Sequence, residues 1–337
     1  MSAKTAVVIL NWNGRSFLEK FLPDVIRHSS AAEVIVADNA STDDSVSFLQ
    51  TNFPSVRIIQ NASNSGYTGG YNEALVHVDA EYFVLLNSDV EVTANWIEPI
   101  IQLMDSDKTI GACQPKILSY YHRDEFEYAG AGGGFIDRYG YPFCRGRIFN
   151  SMEKDEGQYN DTREVFWATG ACMFVRSKVF RELKGLDNRF FAHMEEIDLC
   201  WRMHRHGHKV YYCGSSTIYH VGGGTLSKNN PRKTYLNFRN NLLMIHKNSG
   251  SRKTSIFLFR LIFDIVAALK FLISNGYADF SAVFKAHWDF SGMKKHYKAE
   301  PEGTVHAFEN STIYNRSILW DYYLCNRKSF GALKWLK

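Results

Sequence analysis

Thr5-Ala-Val-Val-Ile-Leu-Asn-Trp-Asn-Gly14 is the stretch that decides the architecture. An apolar, β-branched run without alternation reads as a strand covered on both faces, and Asn11–Gly14 reads as the polar loop at its carboxyl end. The same unit recurs down the chain. Glu33–Ala37 runs into Asp38-Asn-Ala-Ser, Val56–Gln60 into Asn61-Ala-Ser-Asn, and Tyr82–Leu86 into Asn87-Ser-Asp. Helical patterns over Arg15–His28, Asp43–Asn52 and Gly70–Val78 separate them. Strands alternating with helices predict an α/β fold, a mostly parallel sheet flanked by helices. Ligands bind beyond the carboxyl ends of such strands, so four polar loops on one rim predict a site there.

The chain has 337 residues, 45% hydrophobic and 22% charged, the balance of a globular protein that buries its own core. Thirty-nine basic against thirty-five acidic side chains leave +4, too weak and dispersed for a nucleic-acid partner. Six cysteines stand far apart with no CxxC pair, which predicts reduced thiols and a cytoplasmic location. The first apolar run is too short for a signal peptide, and no stretch reaches the about 18 uninterrupted apolar residues of a spanning helix.

Beyond residue 110 the pattern loosens. Gly130–Gly134 and Ser151–Glu164 read as loops; a helix near Glu195–His206, strands at Lys209–Cys213 and Thr217–His220, and the glycines Gly222–Gly224 follow. No loop has the phosphate-cradling spacing G-x-G-x-x-G, so phosphates must be held another way. Asp38 either caps the helix after it or accepts hydrogen bonds from a ribose or base. Asn87 and Asp89, two apart in an extended segment on an exposed rim, face the same way, with Glu91 continuing the row. Carboxylate oxygen together with nucleotide phosphates suits Mg²⁺ or Mn²⁺. Glu195, Glu196 and Asp198 crowd a helix start behind Phe190 and Phe191, where apolar surface raises a carboxyl pKa and makes a general base. Asp198 and Arg202 stand at i, i+4 as a supporting pair. His220 is either a structural histidine or a ligand, and the histidines at 193, 204, 206 and 208 lack zinc-site spacing.

Taken in order, these segments resemble the family 2 glycosyltransferases of GT-A fold, in particular the rhamnosyltransferase-like branch that builds bacterial surface polysaccharides. The matching segments are Val8–Gly14, Val36–Asp43, Asn64–Asn72, Leu85–Glu91, Thr169–Arg176, Gly185–Phe191 and Glu195–Arg202. The resemblance implies an inverting transferase that moves a hexose such as rhamnose from a dTDP- or UDP-linked donor to a hydroxyl of a glycan or lipid-linked acceptor. It implies that Asn11, Asn13 and Asp38 hold the base and ribose, and that the loop carrying Asn64, Gly66 and Gly70 closes over the nucleotide sugar. Asn87 and Asp89 stand at the D-x-D position, so Asp89 with His220 is expected to hold the divalent metal. Glu196 is expected to be the base, with Glu195 the alternative, and Trp167 and Gly170 to line the acceptor pocket. Rival readings are a nucleotide-sugar pyrophosphorylase, whose glycine- and lysine-bearing first loop is missing, and a non-catalytic sugar-nucleotide-binding protein, against which the acids at 38, 89 and 196 argue.

Residues 1–245 are expected to form the catalytic domain and 246–337 a helical extension. Within the latter, Ser255–Ile273 is strongly apolar but interrupted by Arg260, Asp264 and Lys270, with basic flanks. It is expected either to lie peripherally on the inner face of the plasma membrane, to form a homodimer contact, or to pack on the domain.

Overall fold

Uninterrupted apolar strands require cover on both faces, and period-two alternation divides them between two cores. In β1 (Thr5–Asn11), Ala6 and Val8 point into one core and Val7 and Ile9 into the other. The computed structural model describes residues 3–222, 230–297 and 311–335; the glycines at 223 and 224 lie outside the described residues. After β1 the chain forms α1 (Arg15–His28), β2 (Glu33–Asp38), α2 (Ser45–Asn52), β3 (Arg57–Gln60), α3 (Gly66–Leu75) and β4 (Tyr82–Asn87). Leu18, Phe21, Leu22 and Val25 recur at helical spacing on α1 and are buried against the sheet.

There follow β5 (Val90–Val92), α4 (Glu98–Ser106), β6 (Ile110–Ser119), β7 (Gly134–Asp137), β8 (Pro142–Cys144), β9 (Arg147–Ile148), β10 (Ser151–Met152), β11 (Thr162–Val165) and β12 (Cys172–Arg176). Then come α5 (Ser177–Glu182), α6 (Glu195–Arg205), β13 (Lys209–His220), α7 (Pro231–Asn248), α8 (Lys253–Ser274), α9 (Tyr277–Met293), β14 (Ile313–Tyr314) and α10 (Ile318–Tyr323). The nine-stranded central sheet has the order β11-β13-β6-β12-β4-β1-β2-β3, with β5 pairing β13. Its β4-β1-β2-β3 half is parallel, while β12 runs antiparallel between β4 and β6. A second sheet has the order β10-β9-β8-β7-β14.

Three sequence expectations change. The stretch 151–164 contains β10, two residues long and paired to the adjacent β9 in a tight hairpin too short to show as a pattern, and the start of β11, whose partner β13 lies nearly fifty residues further on. The two strands expected at 209–213 and 217–220 are one, β13, interrupted by a register shift between Cys213 and Thr217. Arg260 and Asp264 do not break the apolar surface of α8. With Ile256 and Ala268 they form its buried stripe, where Asp264 pairs with Arg260 (3.2 Å) and His287 (3.0 Å) and accepts from the Tyr141 hydroxyl.

Residues 245 and 246 both lie inside α7, so the expected boundary falls within a helix. The tail also returns to the second sheet. β14 pairs in parallel with β7, and the buried Asp137 carboxylate accepts from the backbone N–H groups of Tyr139, Tyr141 and Ile318. Burial pushes Asp137 up to about 7. Five of the six cysteines are buried and Cys325 is exposed.

Candidate active site

Strand register assembles the first part of the rim. Pairing of β1 with β2 sets Asn11 opposite Asp38, and the fully buried Asn11 amide donates to the Asp38 carboxylate (3.1 Å) and to the Ser41 hydroxyl (3.2 Å). Asp38 also accepts from the Ser41 backbone N–H, closing its own loop. Asn13, left-handed at φ 51, accepts from the backbone N–H of Thr42 at 2.7 Å. Asn11 and Asn13 therefore brace the loop, and Asp38 is held in place rather than capping α2, which starts only at Ser45.

Two residues that the sequence reading passed over tie in the next loops. Asn39 donates to the Asn64 side chain (3.1 Å) and to the Gly66 carbonyl (3.0 Å), while Asn61 donates to Asn39 and to the Gly70 carbonyl. At Gly66, φ is +75 and an added Cβ would lie 2.5 Å from the Phe191 carbonyl oxygen, so only glycine fits between this loop and the turn before α6. At Gly70 a Cβ would meet Leu10 at 2.8 Å.

Asp89 is not on an exposed rim. It is 8% exposed, because antiparallel pairing of β5 with β13 sets Val90 opposite His220 and draws Asp89 in. The His220 Nε2 lies 3.1 Å from Asp89, and its Nδ1 lies 3.1 Å from Glu127. Burial alone opposes charge on all three groups. Mutual attraction outweighs it, holding Asp89 and Glu127 below their ordinary values and His220 up at about 10. Held between two carboxylates, His220 is an imidazolium that donates from both nitrogens; it would ligate a metal only by giving up the Nε2 proton while Glu127 keeps Nδ1 oriented. Glu127 lies in Glu125-Phe-Glu127-Tyr, and nothing in that segment marks it. Among the described residues no group of three or more His, Cys, Asp and Glu could hold a cation by itself. Glu91, which extended the acidic row in sequence, is occupied by a two-oxygen pairing with Arg123.

The second part is a turn. Phe191, His193 and Met194 all adopt left-handed backbone (φ 65, 71 and 71), a cluster of non-glycine residues that persists only where surroundings impose it. Those surroundings are α7. The Asn240 amide donates to the carbonyls of Phe190, Ala192 and His193 at 2.8–2.9 Å, and Arg239 donates to those of Arg189 and Phe190 at 3.0 Å. The turn delivers three acids with different surroundings. Asp198 is fully buried and neutralised by Arg202 (2.9 Å), Lys247 (2.8 Å) and the Asn248 amide (2.9 Å). Glu195 and Glu196 each keep one buried carboxyl oxygen without a hydrogen-bond partner. Desolvation raises both above the usual carboxylate range, and Glu195 is raised further by its neighbour's charge. Glu195 is 4% exposed, while Glu196 is only partly buried.

The two parts meet across Tyr67, whose hydroxyl donates to the Gly170 carbonyl at 2.7 Å and whose ring feels the charges of Glu195 and Glu196. A Cβ at Gly170 would lie 2.8 Å from that hydroxyl. One residue on, the Ala171 carbonyl accepts from the Asn87 backbone N–H, joining the β4 end to the same edge. Trp167 does not line an open pocket. Its indole is packed against Gly134 and donates to the Phe135 carbonyl (2.9 Å), because a β-bridge between Gly134 and Trp167 draws it under β7.

Comparison with known proteins gives one consistent answer. The model of Glycosyl transferase family 2 matches residues 6–184. N-acetylglucosaminyl-diphospho-decaprenol L-rhamnosyltransferase of Mycobacterium tuberculosis is 26% identical over 230 residues, 64% of this chain and 75% of that protein. Rhamnosyltransferase WbbL of Escherichia coli K12 is 24% identical over 225 residues, 61% of this chain and 79% of that protein. Among solved structures, GalNAc-T7 with UDP, GalNAc and Mn²⁺ superposes with a TM-score of 0.59 at 15% identity, over 92% of this chain and 61% of that one, a likeness of fold.

Proposed function

The chain belongs to glycosyl transferase family 2, as a rhamnosyltransferase-like glycosyltransferase of GT-A fold acting in glycan synthesis, and from that premise we propose its reaction in detail. It transfers a hexose, rhamnose or a close relative, from a dTDP- or UDP-linked donor to a hydroxyl of a glycan or lipid-linked acceptor, with inversion. The observation that carries this reading is the contrast within α6, where Asp198 is neutralised and Glu195 and Glu196 are left with unpartnered oxygens beside Tyr67 and Gly170.

Glu196, the more open of the two, takes the proton from the acceptor hydroxyl. The acceptor oxygen then forms its bond to the anomeric carbon as the bond to the leaving diphosphate breaks on the opposite face. No second carboxylate acts as nucleophile. Burial and the neighbouring Glu196 charge raise Glu195 further, which favours a single charge on the pair over two. Asp38 and the loop of Asn64, Gly66 and Gly70 bind the nucleotide, with Asn11 and Asn13 bracing Asp38. Asp89 and His220 are the residues that would hold a divalent cation, His220 losing its Nε2 proton on loading while Glu127 holds Nδ1, with diphosphate oxygens completing the set. Such a cation supplies a Lewis acid for the charge on the leaving diphosphate.

The test is Glu196→Gln. Donor affinity, measured by calorimetry with UDP and dTDP in the presence and absence of Mn²⁺, is expected to stay near that of the parent. Transfer scored across a panel of sugar nucleotides is expected to fall by about 10²–10⁴. A Glu195→Gln variant with the larger loss would move the base to Glu195.

A further inference from the structure

We propose that the outward face of α8 and α9 is a docking surface for an anionic lipid bilayer, on which the protein lies without crossing. Among the described residues no helix is long and apolar enough to cross a membrane. The observation behind the proposal is that α8 is inside out. Its buried stripe carries Arg260 and Asp264, while at 100° per residue the opposite side carries Leu258, Leu261, Ile262, Ile265, Val266 and Leu269. Ile262 is 62% exposed and Ile273 at the helix end 89%. A helix that turned this surface to water without use would reverse the ordinary preference, and a contiguous apolar patch of this kind marks an interaction site.

The surroundings name the occupant. Each acid on α8 and α9 is engaged: Asp264 by Arg260 and His287, Asp279 by Thr234, and Asp289 by Tyr235 and Lys285. The cations Lys270, Lys294 and Lys295 are exposed around the patch. A second copy of this face would bring lysines against lysines, whereas anionic headgroups complement them. Trp288 and Tyr277, 81% and 72% exposed, are the amphipathic aromatics that settle at headgroup level. The surface is also braced to the catalytic turn, because α7 holds α9 through Tyr235 and Asp289 while clamping that turn through Arg239 and Asn240. The docking stands on this surface alone and does not rest on the proposed reaction.

Flotation of the full chain with vesicles decides it, read as bound fraction and without any assay of transfer. Binding is expected to phosphatidylglycerol-containing vesicles at low salt, weaker at high salt and on pure phosphatidylcholine. The double variant Ile262→Glu/Val266→Glu is expected to lose at least about tenfold in binding while its circular dichroism and nucleotide affinity stay unchanged, since both side chains are exposed. Removing Lys294 and Lys295 is expected to weaken binding about fivefold each. A parent chain that stays unbound on anionic vesicles overturns the proposal. So does binding that the double variant leaves intact, and so does a parent dimer in light scattering that this variant dissociates, which would assign the face to a second copy.

Discussion

The strand-end rim and the acid turn are built by opposite means. On the rim, Asn11, Asp38, Asn39 and Asn61 stand at the ends of neighbouring parallel strands, so register alone brings their side chains together. Their braces are several and overlapping. The acid turn has three left-handed residues in a row of four and is held from α7, some fifty residues further along the chain. A site resting on register tolerates the loss of one brace, whereas a strained turn resting on one clamp loses its geometry with it.

The largest effect is expected beneath the turn. Asp198→Ala leaves the Arg202 and Lys247 cations facing a buried gap, which typically costs about 3–5 kcal/mol. Lys247 retains Asp187, so the low end is expected, read as the midpoint of urea unfolding. A loss below about 1 kcal/mol, the range of an exposed pair, would mean that the cluster is less buried than it stands.

Next is the clamp. Asn240→Ala frees three carbonyls, and displacement of a catalytic group by a fraction of its reach costs up to about 10² in kcat. The expected signature is a fall in kcat with donor KM unchanged. Equal damage to both would remove the distinction between turn and rim. The rim counterpart, Asn61→Ala, loses two hydrogen bonds, about 1–2 kcal/mol together. Here donor affinity is expected to weaken about tenfold while kcat at saturating donor holds.

The smallest effect is the pH dependence. Burial raises the Glu196 carboxyl, and a base acts only when deprotonated, so kcat is expected to rise with pH around a midpoint above the free glutamate value of about 4.3. The stability sign follows separately. Groups whose folded pKa is raised favour the fold at low pH, and Glu195 and Glu196 lose that contribution as pH climbs through their folded values. A midpoint at the free value would place the base in open solvent.

Much of the rim was legible in the sequence. Four strand–loop units set out its positions, since uninterrupted β-branched runs ending in polar loops are local signals. Asp38, Asp89 and Glu196 could be singled out because each stands directly after a strand or at a helix start. What stayed hidden depends on distant partners. Glu127 acquires meaning only when β13 brings His220 beside it. Arg239 and Asn240 carry no signal in the sequence, because the carbonyls they meet belong to a turn some fifty residues earlier in the chain. Arg260 and Asp264 read as breaks in an apolar surface because Tyr141 and His287, which draw them inward, come from other elements. Trp167 erred the other way, expected to line the acceptor pocket but folded into the core by a single β-bridge.

The distribution of sulfur has a practical consequence. Burial pushes the thiols of Cys113, Cys144, Cys172 and Cys200 up and shields them, so all four are poor nucleophiles, while Cys325 stands exposed just beyond α10. The wild-type chain therefore carries one preferred attachment point for a maleimide dye. Nearby, the Tyr323 hydroxyl accepts from Lys270 of α8 at 3.4 Å, so a fluorophore coupled there reports on the edge of the outward helix pair without any residue having been changed.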